Sequence, residues 1–265
     1  MKTWRWPARA IGWGLLLVLL QGCASVPSPD PRDPLESWNR GVFGFNDTVD
    51  QVVLKPVATA YRGVLPQWMR RGVGNFFNNL EDVWSAVNNA LQLRGREAGD
   101  SVARVMLNST IGLAGLVDVA SDLNIERHTA DFGLTLGRWG VGPGPYFVLP
   151  FLGPYTLREV VALPLDRQGN LVNHVEDVPT RDGLTVLRVV NLRATYLGAG
   201  EVVEGAALDK YSFIRDSYLQ RQRNRDYDGN PPEDDAAAEA DSAAEPNSAA
   251  EPMPAQDAGA PAAQE

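Results

Sequence analysis

A mainly α-helical body is predicted from two observations. Apolar residues recur at spacings of three and four through most of residues 34–228, and no series of period-two runs of the kind that builds a sandwich or barrel is present. A third observation marks the exception. From Gly140 to Tyr155 the chain reads GVGPGPYFVLPFLGPY, where prolines exclude an interior helix and glycines permit positive φ, and only Tyr146 to Leu149 reads as a short strand.

The elements follow in order. Leu35, Trp38, Val42, Phe45, Val49 and Val52 form one stripe, giving a first helix expected to be capped by Asp33, with Pro34 at its first position, and to end before Lys55-Pro56. Pro66 is expected to open the next helix, carrying Trp68, Val73, Phe76 and Leu80. A further stripe runs through Val83, Val87, Ala90 and Leu91, and another amphipathic segment spans Glu97 to Leu107. Leu184 to Leu192, Glu201 to Ala207 and Lys210 to Arg221 are helical candidates late in the body.

Two apolar stretches interrupt this pattern. Ser109 to Ile125, with Gly112 and Gly115 inside it, reads either as a core hairpin between short helices or as a membrane-contacting segment. The aromatic loop from Gly140 to Tyr155 is either clamped inside the fold or dipped into lipid, because loops of this length normally lie in water and are polar.

Outside the body, the single cysteine is the informative residue. Lys2, Arg5 and Arg9 precede an apolar run from Ile11 to Leu20, and Leu20-Gln21-Gly22-Cys23 follows, which resembles a bacterial lipobox at the end of a secretory signal. The run is shorter than the ~20 residues needed to span a bilayer and is broken by Gly12 and Gly14. Residues 1–22 are therefore expected to be a signal peptide and Cys23 the lipidation point. Residues 23–33 would then form a lipidated tether, and Ala24, in the place of a retaining Asp, points to the periplasmic face of the outer membrane.

Residues 229–265 form an Ala/Pro-rich acidic tail with too little apolar surface to offset its ordering entropy, and are expected to be disordered. Setting aside the tail's nine acidic side chains and the leader's three basic ones from the formal net charge of -9 leaves the body at about -3. No basic face for nucleic acid survives that accounting.

Catalytic chemistry finds little support. The two histidines, His128 and His174, stand in no zinc-binding spacing, Gly-x-Ser-x-Gly is missing, and the glycines from Gly140 to Gly144 lack the Lys-Ser/Thr of a phosphate-binding loop. His128 with Asp118 and Asp131 admits a base-orienter reading, against that of a surface or capping histidine. No enzyme activity, cofactor or metal is expected. Asn39, Asn46, Asn75, Asn79, Asn88 and Asn108 sit in otherwise apolar stripes and read either as helix-packing amides or as a polar strip lining a passage. Trp38, Trp68, Trp84 and Trp139 read either as interface anchors or as core aromatics.

Several strings together resemble the MlaA (VacJ) family of outer-membrane lipoproteins: Asp33-Pro34-x-Glu36, Asn39-Arg40, Phe45-Asn46, Lys55-Pro56-Val57, Asn75-Phe76, Asn79-Leu80, Leu91-Gln92, Asn108 and Asp131-Phe132-Gly133-x-Thr135-Leu136-Gly137. Gly140-Val141, Gly144-Pro145-Tyr146, Leu149-Pro150, Leu152-Gly153-Pro154 and Arg158 close the series. Gly44 and Glu159 depart from the family's pattern, which commonly has an amide and an Asp there, so the roles of those side chains do not carry over unchanged.

The resemblance implies a ring-like, multi-helix body embedded in the inner leaflet of the outer membrane, with a central channel and a short Gly/Pro-rich hairpin. Gly142 and Gly144 match the hairpin thought to gate that channel. It further implies removal of misplaced phospholipid from the outer leaflet, association with a trimeric porin, and hand-over to the periplasmic carrier MlaC. A structural lipoprotein that scaffolds envelope partners is the rival expectation, and a lipid hydrolase using Ser or His a third.

Overall fold

A computed structural model describes residues 30–232; the expected signal peptide, Cys23 and most of the acidic tail lie outside the described residues. Contacts divide the chain after Gln222. Residues from Arg223 on form a separate unit, in which the Arg223 guanidinium donates to the carbonyl of Pro232 at 3.0 Å. Every candidate site residue in the described range belongs to the first unit.

The described residues are mainly helical. α1 covers Glu36–Val49 and passes through a π-helical turn, Asp50–Leu54, directly into α2, Lys55–Val64. The expected stop before Lys55-Pro56 is therefore corrected. Pro56 falls in the first turn of α2, where a missing N–H costs least, and the wide turn carries the chain into it. The expected cap is corrected too. Leu35 occupies the cap position without a side-chain bond, while Asp33 is fully buried and engaged elsewhere.

Pro66, held at φ -64° and ψ 156°, does start the next helix, but the two stripes after it belong to one element, α3, Gln67–Leu91. Their phase is continuous at 3.6 residues per turn, so nothing in the side-chain pattern breaks the ladder. α3 ends where Leu93 adopts φ 60° and the N–H groups of Leu93 and Arg94 reach back to the carbonyls of Ala90 and Asn89, a Schellman closure. α4, Gly95–Thr110, follows after three residues and packs along α3.

Ser109 to Ile125 holds no strand. It is a series of turns with positive φ at Leu113, Ala114 and Gly115, followed by the single-turn α5, Val119–Asp122, capped by Asp118. α6, Phe132–Arg138, is capped by Asp131. The expected strand β1, Tyr146–Leu149, is present and pairs antiparallel with an unforeseen β2, Gly153–Thr156, with Tyr146 opposite Thr156 and Leu149 opposite Gly153.

α7, Leu157–Gly169, begins at a full capping box: the Thr156 hydroxyl accepts from the Glu159 N–H while the Glu159 carboxylate accepts from the Thr156 N–H. It contains Pro164, which forfeits one ladder bond. A 3₁₀ turn, Leu171–His174, leads to α8, Val178–Thr195, then α9, Leu197–Ala206, and α10, Lys210–Asp226.

The interior is unusually polar. One apolar cluster joins Tyr146 and Val148 of β1 to Tyr211 and Tyr218 of α10, and a smaller one joins Ala58, Ala194 and Leu197. Beside them Asp33, Asn39, Asp82, Asn88, Asn89, Arg104 and Thr135 are buried, whereas many large apolar side chains stay in the open. A protein of this size ordinarily hides its charged groups least. Among the described residues, no helix is long and apolar enough to cross a membrane.

Candidate functional site

The β-hairpin is held from outside by amides of α1. Asn39, fully buried, donates to the Tyr146 carbonyl at 3.0 Å and to Asp33 at 2.7 Å, and accepts from the Val148 N–H at 2.9 Å. Two helical turns later, Asn46 donates to the Leu149 carbonyl at 2.9 Å and accepts from the Phe151 N–H at 2.8 Å. An amide presents one donor and one acceptor side by side, matching the alternating groups of a strand edge. These two residues therefore pair with β1 as a second strand would.

The approach to the hairpin is fixed as firmly. The N–H groups of Leu157 and Arg158 donate to the carbonyls of Pro145 and Pro143, and the buried Arg158 guanidinium donates to the Val141 carbonyl at 3.1 Å. Gly142 and Gly144 lie in this approach, ahead of β1. Gly144 has φ +67°, and a Cβ there would stand 3.1 Å from the Leu157 side chain; Gly142 faces open space. The segment is thus both clamped and exposed: Tyr146 and Val148 are buried, while the tip residues Phe151 (75 % exposed) and Leu152 stand in the open.

The departure at Glu159 has a structural role. Besides its capping box, Glu159 receives the hydroxyl of Tyr218. Burial raises the Tyr218 phenol, and the neighbouring carboxylate adds to that. A Cβ added at Gly44 would meet nothing within 4 Å.

Asn75 and Asn79, one turn apart on α3, hold the last turn of α4 and the loop after it. Asn75 donates to the Leu116 carbonyl at 3.2 Å and Asn79 to the Ser109 hydroxyl at 2.9 Å. Gly115 has φ +88°, and a Cβ there would fall 2.8 Å from the Asn79 side chain, so this loop requires glycine on two counts. Asn88 accepts from Thr135, Asn89 donates to the His128 carbonyl, and Asn108 bridges Asp118 and the Ala120 N–H. All the singled-out amides of the described chain bond to other parts of the chain itself.

The same loop is anchored by Arg104, which is 2 % exposed. Its guanidinium reaches Asp82 at 3.3 Å, both oxygens of Asp118 at 2.9 Å, Ser121 at 3.1 Å and the Ile125 carbonyl at 2.6 Å. Five donors in a planar fork are needed to satisfy that set, which a lysine cannot supply. Burial pushes the Asp118 carboxyl up, but bonds from Ser121, Asn108 and Arg104 outweigh it and hold it below the usual range. Around this anchor Ile111, Leu113, Leu116 and Leu123 are exposed.

His128, Asp118 and Asp131 are not brought together. His128 faces Asp100 at 3.3 Å, Asp118 binds Arg104 and Asp131 caps α6. Among the described residues no group of three or more His, Cys, Asp or Glu is arranged to hold a metal ion. Trp38, Trp68 and Trp139 are exposed, Trp68 by 73 %, whereas Trp84 is half-buried with its indole N–H on Asp166 at 2.8 Å.

Comparison with known proteins decides the family. A family model described as MlaA lipoprotein matches residues 31–225. The chain belongs to the MlaA lipoprotein family. An MlaA of Escherichia coli K12, named an intermembrane phospholipid transport system lipoprotein, is 35 % identical over 215 residues, covering 77 % of this chain and 82 % of that one. The Haemophilus influenzae protein of the same name is 29 % identical over 81 % of this chain and 89 % of its own.

A solved structure from work on the "structural basis for maintenance of bacterial outer membrane lipid asymmetry" aligns with TM-score 0.65 at 34 % identity, covering 75 % of this chain and 99 % of that one. The mainly helical MlaA fold is thus common to both, and the family match runs past Arg158, where the quoted strings end, through residue 225 and so over α7, α8, α9 and nearly all of α10.

Reasoning from sequence missed the hairpin's second strand, α6, α7 and the Arg104 anchor. Two of these carried a local signal: Asp131 ahead of Phe132 and Thr156-x-x-Glu159 are N-terminal capping patterns. The anchor carried none, because Asp82, Arg104 and Asp118 meet only in the folded chain.

Proposed function

We propose that this chain is an outer-membrane lipoprotein, anchored through Cys23 at the periplasmic face, that draws misplaced phospholipid out of the outer leaflet. The lipid passes through a shielded channel to a soluble periplasmic carrier of the MlaC type, with a trimeric porin as the membrane partner. One observation carries this reading beyond family membership. The chain buries polar groups and leaves large apolar ones outside: Phe151 and Leu152 at the hairpin tip, Ile111, Leu113 and Leu116 in the loop after α4, and Trp68 with Met69 at the start of α3. That inversion suits a body whose surroundings are partly hydrocarbon. Exposed Trp38, Trp68 and Trp139 serve as interface anchors, and Gly142 and Gly144 lie in the segment that gates passage.

A phospholipid carries roughly thirty apolar CH₂ groups, so exposing both tails to water costs on the order of 20 kcal/mol at ~0.8 kcal/mol each. Shielding removes most of that cost without a chemical step, and no bond need be made or broken. The test is phospholipid exposed on the cell surface. Cells lacking the protein should show more of it, the native chain should restore the barrier, and a Cys23→Ala copy should not. An unchanged surface in the deletion strain would overturn the reading.

A further inference from the structure

Beneath the C-terminal end of α2 lies a concave cavity of about 780 Å³, walled by α2, the first half of α3 and the second half of α8. This is within the size range of small-ligand sites. Its charge is at odds with the rest of the molecule. Arg62, Arg70, Arg71, Arg127 and Arg188 line it, against one carboxylate, Glu81. The chain as a whole is acidic.

Glu81 is already engaged, at 3.1 Å from Arg127 and 3.8 Å from Arg188. Among the described residues, Arg62 and Arg71 have no hydrogen-bonded or ion-paired partner, and Arg70 donates only to the Leu65 carbonyl at 3.2 Å. Three guanidinium groups converging on one cavity without a counter-ion repel one another, and such an arrangement is relieved by an anion. The start of α3 adds to the positive field, because Pro66 supplies no side-chain cap and the first turn carries no acid. Neutral donors, Gln67 and Asn78, face the same space, while Phe77, Leu192 and Tyr196 give it an apolar wall.

We infer that this arginine cavity binds a phosphate-bearing anion, the phosphodiester of a phospholipid headgroup, with Arg62, Arg70 and Arg71 as the ligating side chains. The identity of the anion follows from the donors. Guanidinium forks match two oxygens of a phosphate at once, and several forks match its tetrahedral set. The apolar wall receives the glycerol end of the lipid. Inorganic phosphate shares the same chemistry, and the headgroup assignment rests on the transport reading above.

The full chain, purified from membranes in a nonionic detergent, is titrated calorimetrically with three probes: dihexanoyl phosphatidylglycerol, dihexanoyl glycerol and inorganic phosphate. Arg62→Gln/Arg71→Gln removes two exposed, partnerless side chains, so the fold is left intact; Arg96→Gln, 88 % exposed and outside the cavity, is the control. The expected result is that the double variant binds the phosphatidylglycerol roughly tenfold or more weakly, the scale of one lost charge-assisted hydrogen bond, while dihexanoyl glycerol and the control are unaffected. High salt should narrow the gap, since exposed charges are screened.

Equal affinity of native and double-variant chains for phosphatidylglycerol overturns the site. Arginine-dependent binding of inorganic phosphate as tight as that of the lipid overturns the headgroup assignment in favour of a free-phosphate site. Either failure leaves the transport reading standing, because that falls only if the deletion strain's surface is unchanged.

Discussion

The buried carboxylate of Asp33 accepts the hydroxyl hydrogen of Tyr211, 178 residues further along the chain. Asp33 also takes the Asn39 amide at 2.7 Å and lies 3.5 Å from the Arg215 guanidinium, so the first residues of the body are tied to both α1 and α10. Burial raises the Tyr211 phenol and its bond to Asp33 raises it further, which keeps it a donor. Tyr211→Phe should cost about 1–3 kcal/mol, and Asp33→Ala, which leaves the Tyr211 hydroxyl and the Asn39 amide without their shared acceptor while Arg215 keeps Asp30 and Asp216, about 2–5 kcal/mol. Urea unfolding of the purified chain measures both; a smaller loss for Asp33→Ala than for Tyr211→Phe would reject the network.

Asn39 and Asn46 offer a graded test of the strand-like clamp. Asn39→Ala leaves a buried carbonyl, a buried N–H and one carboxylate oxygen of Asp33 short of a partner, and should destabilise by about 3 kcal/mol. Asn46→Ala acts nearer the exposed tip and should cost about 1 kcal/mol. Amide hydrogen exchange separates them: Asn46→Ala should free the Phe151 N–H alone, and Asn39→Ala the Val148 N–H.

The two candidate gate glycines should behave differently when given a methyl group. Gly144→Ala forces a left-handed backbone on a side chain that also presses on Leu157, at a cost of about 1–2 kcal/mol. Gly142→Ala meets open space and should leave stability unchanged. If mobility of this segment gates lipid passage, Gly142→Ala lowers surface phospholipid clearance with the melting temperature unaltered. Clearance at the native rate in both variants would remove the gating role.

Asp166 gives a pH signature with a definite sign. Burial holds its carboxyl above the ordinary range, only partly offset by the Phe132 N–H and the Trp84 indole, both bonded to Oδ1 at 2.8 Å. A carboxyl raised on folding keeps its proton longer in the native state. Its contribution is therefore full below the ordinary carboxylate pKa and declines as pH rises through the raised folded value. Asp166→Asn retains the Oδ1 acceptor and lacks that decline. Stability of the native chain relative to the variant should fall between acid and neutral pH in paired urea titrations; a rise would contradict the assignment.

Residues of one stripe were legible in the sequence from Trp68 to Leu80 and again from Val83 to Leu91, because helical neighbours are local; that the two stripes share one helix was not. The start at Pro66 was legible for the same reason, since a fixed φ acts on its own residue. Asn39 was visible as an anomaly without its purpose, because the strand it holds lies 107 residues away. Arg62, Arg71, Arg127 and Arg188 gave no signal at all. Scattered through an acidic chain, they become a positive surface only when α2, α3, α8 and the segment before α6 that carries Arg127 are brought to one wall.

The π-helical turn at Asp50–Leu54 sets an azimuth. An ordinary helix through the same positions would have advanced with one residue fewer, and each residue rotates the chain by about 100°. Excising a single residue there would straighten the ladder yet swing Ala58 away from Ala194 and Leu197, and carry Arg62 out of the cavity it lines. The surplus residue is in effect a phase shifter, so the aim of everything on Lys55–Val64 depends on a length and not on any one side chain.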